Sequence, residues 1–177
     1  MTFKTADLYD HYGDRVWVCD PIFRDFGGHA RFSGPITTVK CFEDNSLVKA
    51  VLGEPGEGRV LVVDAGGSLR CAMLGDLIAA SAVEHGWCGV LLFGCVRDTV
   101  ELAGMALGVK ALAANPRKSE KRGEGQRDIP VSFAGVRFRP GDYIYCDEDG
   151  ILVSSKALEV LECGGNPTPA STGIHDT

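Results

Sequence analysis

Two aspartates and one arginine stand out by type and spacing in this 177-residue chain. Gly75-Asp76 opens a helix-like run, and Arg97-Asp98 follows after 20 intervening residues, just past the apolar stretch LLFGCV. If the first pair starts a helix and the second ends a strand beside it, both lie at one end of a sheet. Strand ends that feed helix starts are where open α/β sheets bind ligands, and a helix N-terminus offers free N–H groups and partial positive charge to an anion. The N–H groups of Leu77 and Ile78 could take a carboxylate, with Arg97 gripping that carboxylate or a polarised carbonyl as a fork. Asp98 would supply an oxygen ligand to Mg²⁺, which commonly takes only one or two protein carboxylates and keeps several waters. Asp76 is the neighbouring acid or base. The same residues have plainer readings, with Asp76 capping its helix and Arg97-Asp98 forming a solvated turn, and no other metal-spaced cluster accompanies them.

The elements that must position these residues are legible in outline. RVLVVD (59–64) is a nearly continuous apolar run of strand length, as expected of a strand covered on both faces. The loop AGGSLRCAMLG follows it, and then DLIAASAVEH (76–85), with Gly86 as the stop, reads as a helix packed between layers. Its two stripes are Leu77, Ala80, Ser81 and Glu84, and Ile78, Ala82 and Val83. Val90 to Phe93 is a second buried strand, so residues 59–93 form a strand–helix–strand crossover within an α/β layer.

Upstream, Thr5 is the expected N-cap of a short helix ending near Gly13, with Leu8 and Tyr9 inward. The stretch 21–34 reads as irregular, Ile36 to Phe42 as a strand, and Asn45 as the cap of a helix to about Leu52. Downstream, PRKSEKRGEGQRD (116–128) is polar, and its basic cluster Arg117, Lys118, Lys121, Arg122 and Arg127, diluted by Glu120 and Glu124, reads as a solvated loop. Short strands at hairpin spacing follow at 129–133, 136–138, 143–146 and 151–153, joined through Ala134-Gly135, Pro140-Gly141 and Asp149-Gly150. Lys156 to Cys163 reads as a last helix. Residues 1–163 are expected to form a single domain, and 164–177 a flexible tail.

Composition narrows the function classes. The chain is 45% hydrophobic and 24% charged, and its net charge of −6 opposes unspecific attraction to nucleic acid. No apolar run reaches the roughly 18 residues of a membrane span, and MTFKTADLYD lacks the build of a signal peptide, so a cytoplasmic protein is expected. The seven cysteines lack any C-x-x-C pair and read as reduced, buried thiols; Cys95, beside Arg97, is the one to test for reactivity. Glycine, 23 residues, marks many tight turns and close backbone approaches. The four histidines show no metal spacing, and Asp147 to Gly150 reads as a hairpin turn rather than a calcium loop.

The run MLGDLIAASAVEHGWCGVLLFGCVRDTVEL resembles the core of the RraA-like family, which includes class II 4-hydroxy-4-methyl-2-oxoglutarate aldolases and regulators of ribonuclease E. Its D-x20-R-D signature is Asp76, Arg97 and Asp98 here, extended by Glu101. TADLYDHYGDRVWVCDP, FSGPITTVKCFEDNSLVKA, RVLVVDAGGSLRCAMLGD and FRPGDYIYCDEDGILV share the resemblance, which spans roughly residues 5 to 155.

The resemblance implies an α/β fold of the swivelling β/β/α type, with layered sheet and helices, assembled as a homotrimeric ring with a pocket between subunits. It implies a small keto-acid substrate whose pyruvate moiety sits against Gly75, Asp76, Leu77 and Ile78 and touches Arg97. A divalent cation, Mg²⁺ or Mn²⁺, would be bound by Asp98, and an oxaloacetate decarboxylase side activity would share the enolate. Longer aldolases of the family bring a further carboxylate from a C-terminal extension; here only Glu159 and Glu162 precede a glycine-proline tail, which predicts weaker aldol cleavage. The alternative implied role is inhibition of ribonuclease E by protein–protein binding, with DEAD-box helicases as further partners. Neither direct nucleic-acid binding nor membrane association is expected.

Overall fold

The computed structural model describes residues 2–160; the last three residues of the expected last helix and the expected tail lie outside them. Four α-helices are described, α1 (Thr5–Tyr12), α2 (Ser46–Leu52), α3 (Asp76–Glu84) and α4 (Thr99–Ala103), with a 3₁₀ turn at Gly13–Arg15 after the first. Twelve strands accompany them: β1 (Trp17–Val18), β2 (Arg24–Asp25), β3 (Phe32–Lys40), β4 (Val60–Asp64), β5 (Ala72–Leu74), β6 (Gly89–Val96), β7 (Gly108–Ala114), β8 (Gln126–Arg127), β9 (Val131–Phe133), β10 (Val136–Phe138), β11 (Tyr143–Cys146) and β12 (Ile151–Ser154).

The long strand β3 joins two wings of one sheet, ordered β1-β12-β11-β3-β4-β6-β7-β2. Its first residues, Phe32 to Pro35, pair antiparallel with β11, and Ile36 to Lys40 pair parallel with β4. Beyond β4 the wing stays parallel through β6 and β7, while β5 adds to the C-terminal half of β6. The apolar runs of β4 and β6 are explained by burial on both faces. Val60, Val62 and Leu91 face the β9–β10 hairpin and the antiparallel wing, whereas Leu61, Val63, Val90 and Leu92 pack with α2 and α3. Each such side chain contributes about 1.5–3 kcal/mol through burial. This is the expected β/β/α layering.

One packing detail requires glycine. Gly89 and Gly108 are paired neighbours on β6 and β7, and the Phe32 ring lies directly over both. A Cβ at either position would collide with that ring.

Several expectations need correction. The N-cap of α1 is Lys4; the Thr5 N–H and hydroxyl instead donate to the buried Asp147 carboxylate at 2.7 and 2.6 Å. Tyr9 is exposed rather than inward. Asn45 is the N-cap residue of α2 as expected, but its side chain makes no cap bond, and the preceding Asp44 accepts the Ser46 N–H at 2.9 Å instead. Helix α3 lies on the outside of the sheet, not between layers, because only Ala79 and Ala82 are buried while Leu77 is 82% exposed. The loop after β4 contains β5, and residues 21–34 contain β2 and the start of β3. Residues 155–160 are not helical. Leu158 and Val160 pack near Phe3, Leu8 and Tyr145, and the Leu158 N–H donates to the Tyr145 hydroxyl at 2.7 Å, so tertiary partners replace helical ones. No helix among the described residues is long and apolar enough to cross a membrane.

Candidate active site

Strand β5 ends at Leu74, and Gly75 is extended (φ −130°, ψ −167°) before α3 begins. Gly75 has no side chain with which to cap that helix, and the cap arrives from the end of the neighbouring strand. Asp98 Oδ2 accepts the Asp76 N–H at 3.0 Å, a charge-assisted bond at the positive end of the helix. Glycine is needed here because a Cβ on residue 75 would lie 2.6 Å from Asp98 Oδ2 and 3.4 Å from Arg97 Nε. The Leu77 and Ile78 N–H groups belong to the first turn, where a helix has no internal acceptors.

Asp98 reaches this position through a departure from ordinary backbone. It is left-handed (φ 57°, ψ 44°) at the start of α4, yet its side chain makes no bond to that helix. A non-glycine residue in this region costs on the order of 1 kcal/mol, and here the turn aims a carboxylate across to α3. The Arg97 N–H donates to the Leu74 carbonyl at 2.9 Å, lacing β6 to β5, and Arg97 Nε lies 4.0 Å from Asp98 Oδ2. Both side chains are half-exposed.

Gly75, Asp76, Leu77, Ile78, Arg97 and Asp98 therefore meet as the sequence predicted, and they line one cavity of about 670 Å³. The opposite wall was not foreseen. Lys49, Arg117, Lys118 and Lys121 line the same cavity, so five cationic residues, Arg97 included, share its lining with Asp76, Asp98 and Glu120. The segment read as a solvated loop is pinned there: the Ala72 N–H donates to the Arg117 carbonyl at 2.7 Å, Ala72 bridges Lys118, and the buried Ser119 hydroxyl accepts the Asn45 N–H at 3.3 Å. The basic composition was the only signal in the sequence, and it carries no address. Arg122 and Arg127 are held elsewhere, Arg127 in a two-point contact with Glu54 at 2.8 and 3.1 Å. Cys95 is buried, and burial pushes its thiol above the ordinary range, so it is a poor nucleophile.

Fold and site together define a β/β/α protein with a cavity lined by cationic residues at the C-terminal ends of its parallel strands. The chain belongs to the RraA-like family (Aldolase/RraA), whose match covers residues 5–153. It is 58% identical over 158 residues to a protein of Alkalilimnicola ehrlichii, covering 89% of this chain and 98% of that one. A protein of Laribacter hongkongensis is 55% identical, with 89% and 99% covered. Both carry the provisional name 4-hydroxy-4-methyl-2-oxoglutarate aldolase. Among solved structures, the RNA-processing inhibitor RraA from Thermus thermophilis superposes with a TM-score of 0.86 at 46% identity, covering 90% of this chain and 96% of that one. A Geobacillus kaustophilus protein described as an S-adenosylmethionine:2-dimethylmenaquinone methyltransferase also gives 0.86, at 49% identity, with 88% and 96% covered.

Proposed function

We propose that this protein is a metal-dependent aldolase that cleaves 4-hydroxy-4-methyl-2-oxoglutarate into two molecules of pyruvate. The observation that carries the reading is the Asp98 carboxylate held against the N-terminus of α3 beside Arg97, facing a cationic wall. A dianionic 2-oxo acid matches that charge pattern at both ends, and the aldolase name of relatives at 55–58% identity agrees.

In this mechanism Arg97 and the N–H groups of Leu77 and Ile78 hold the carboxylate and 2-oxo oxygen of the substrate. Asp76 takes the proton of the C4 hydroxyl, directly or through a water. The C3–C4 bond then breaks, one pyruvate leaves with its new carbonyl, and the electron pair remains as a pyruvate enolate. Arg97 and the helix N-terminus stabilise the enolate charge where it develops, the largest expected contribution to rate. Asp76 returns the proton to C3, giving the second pyruvate. Loss of CO₂ from oxaloacetate produces the same enolate, so decarboxylation belongs to the same site.

The donor set fits a hydrated divalent ion. The described residues contain no cluster of three or more His, Cys, Asp or Glu positioned around a metal, but Mg²⁺ and Mn²⁺ need only one or two carboxylates when waters complete the shell. Asp98 would hold the ion, with waters completing its shell, and the bound ion would supply further positive charge to the developing enolate. A trimeric ring, with a neighbour closing the cavity, and a cytoplasmic location belong to the same proposal.

The test is pyruvate release from both substrates with Mg²⁺, with EDTA, and in Asp98→Ala and Arg97→Ala. Metal-dependent turnover lost in both variants is the expected result. Turnover of oxaloacetate alone would reduce the proposal to a decarboxylase, and no turnover above the metal-only background would overturn it. The competing function is inhibition of ribonuclease E, with or without a DEAD-box helicase; the Thermus relative, described as an RNA-processing inhibitor, supports an inhibitory role in general. That function has no need of Asp98 beside Arg97, so inhibition that survives Asp98→Ala would favour it.

A further inference from the structure

We propose that Asp44 is a positioning residue for the cationic wall of the cavity, and so sets the affinity for the far anionic group of a dianionic ligand; this rests on the keto-acid reading above. Asp44 is 1% exposed and lines no part of the cavity itself. Its Oδ1 accepts the Ser46 N–H and hydroxyl at 2.9 and 2.6 Å, at the start of α2. Its Oδ2 accepts the N–H groups of Arg122 and Glu124 at 2.8 and 3.0 Å, across 78 and 80 residues of sequence. Burial alone would raise this carboxyl, but the bonds from Ser46, Glu124 and Arg122 hold it well below the usual carboxylate range.

Two further bonds stitch the same seam. The Gly123 N–H donates to the Ser46 hydroxyl at 3.2 Å, and the Glu120 N–H donates to the Glu43 carbonyl at 3.2 Å. Residues 117–124 therefore follow a fixed path, held at its start by Ala72 and the Ser119 hydroxyl and at its end by the buried Asp44 carboxylate, with Lys121 between the two. Arg117, Lys118 and Lys121 ride on that path into the cavity while their long side chains stay exposed. A floating lysine gives little affinity for an anion because ordering it costs side-chain entropy; a backbone held in place removes part of that cost.

The variant Asp44→Asn keeps an acceptor for Ser46 but turns an amide N–H₂ toward the Arg122 and Glu124 N–H groups. The expected result is KM for 4-hydroxy-4-methyl-2-oxoglutarate raised about tenfold, equivalent to one lost contact, with kcat within about twofold. Combined with Lys121→Ala, the double variant should be no worse than about twofold beyond Asp44→Asn alone, because both act through one wall. Ser46→Ala loosens the same seam from the helix side and should raise KM less, which keeps the test open if Asp44→Asn does not fold. Unchanged KM, a fall confined to kcat, or full additivity with Lys121→Ala would each overturn the proposal. If the wild type turns over neither substrate, the keto-acid reading itself falls. The same cycle then runs by calorimetric titration with 2-oxoglutarate, where wild-type binding that weakens non-additively supports the role of Asp44 and anything else removes it.

Discussion

Strand β6 has two ends that use the same chemistry of small residues for opposite purposes. At Gly89 the missing side chain lets Phe32 lie flat across β6 and β7, sealing an apolar seam. At the other end, beyond Val96, the missing side chain of the facing Gly75 lets a carboxylate approach the start of α3, and the chain enters a left-handed turn to deliver it. The first end relaxes into close packing. The second accepts backbone strain and exposed charge to hold Asp98 and Arg97 in place. Stability and chemistry are thus separated along one strand by about eight residues of buried apolar chain.

Four measurements would break or sharpen that contrast. Asp98→Ala should lower kcat/KM for pyruvate release by about 10³-fold, the scale of losing a group aimed at developing charge, while costing only about 1–2 kcal/mol in urea unfolding, because it removes one half-exposed helix cap and leaves an alanine at φ 57°, which tolerates that conformation less well than aspartate. Gly108→Ala, at the packed end, should do the reverse, costing about 3 kcal/mol in urea unfolding through the collision with Phe32, with activity per folded molecule retained. Gly75→Ala should cost about 10²-fold in kcat/KM and less than about 1 kcal/mol in stability, since its Cβ would displace the half-exposed Asp98 carboxylate rather than a core ring. A large stability loss there would mean that the two ends are not separate after all.

The smallest effect lies away from both ends and calibrates the others. Asp147 holds Thr5 of α1. Burial tends to raise its carboxyl, but the bonds from Thr5, Asp149 and Gly150 lower it below the ordinary value. A depressed folded value means that this stabilisation is present above the unfolded value near 3.9 and is lost as pH falls through the folded one. Asp147→Asn should therefore cost about 1–2 kcal/mol at neutral pH, and the gap from wild type should close below about pH 4, read from thermal melts across pH 2–7.

How much of this was legible in sequence depends on the range of the interactions involved. RVLVVD and the run around Leu91 declare themselves because burial on both faces demands uninterrupted apolar side chains. The hairpin at Ala134-Gly135 is legible from its glycine, which takes φ 73°, whereas the positive φ of Ala134, 51°, is imposed by the turn against that residue's preference. Strand β7 is hidden by a lysine in its middle, which is tolerated because Lys110 is paired with Asp25 at 3.0 Å. Strand β5 and helix α4 are too short to show a period. The expected helix after Lys156 fails where Tyr12 and Tyr145 supply partners that no local pattern announces.

The sequence by itself determined the alternation of strand and helix, the family, and the D-x20-R-D trio, because periodicity and spacing are local properties of the chain. The tertiary structure alone decided that Asp98 caps a helix 22 residues upstream, and that Lys49 and residues 117–121 form the opposite wall. It also decided that Asp44 secures that wall across a gap of about 80 residues. Those contacts arise from loop closures whose entropic cost is repaid only by the packed sheet beneath them, so no local pattern encodes them.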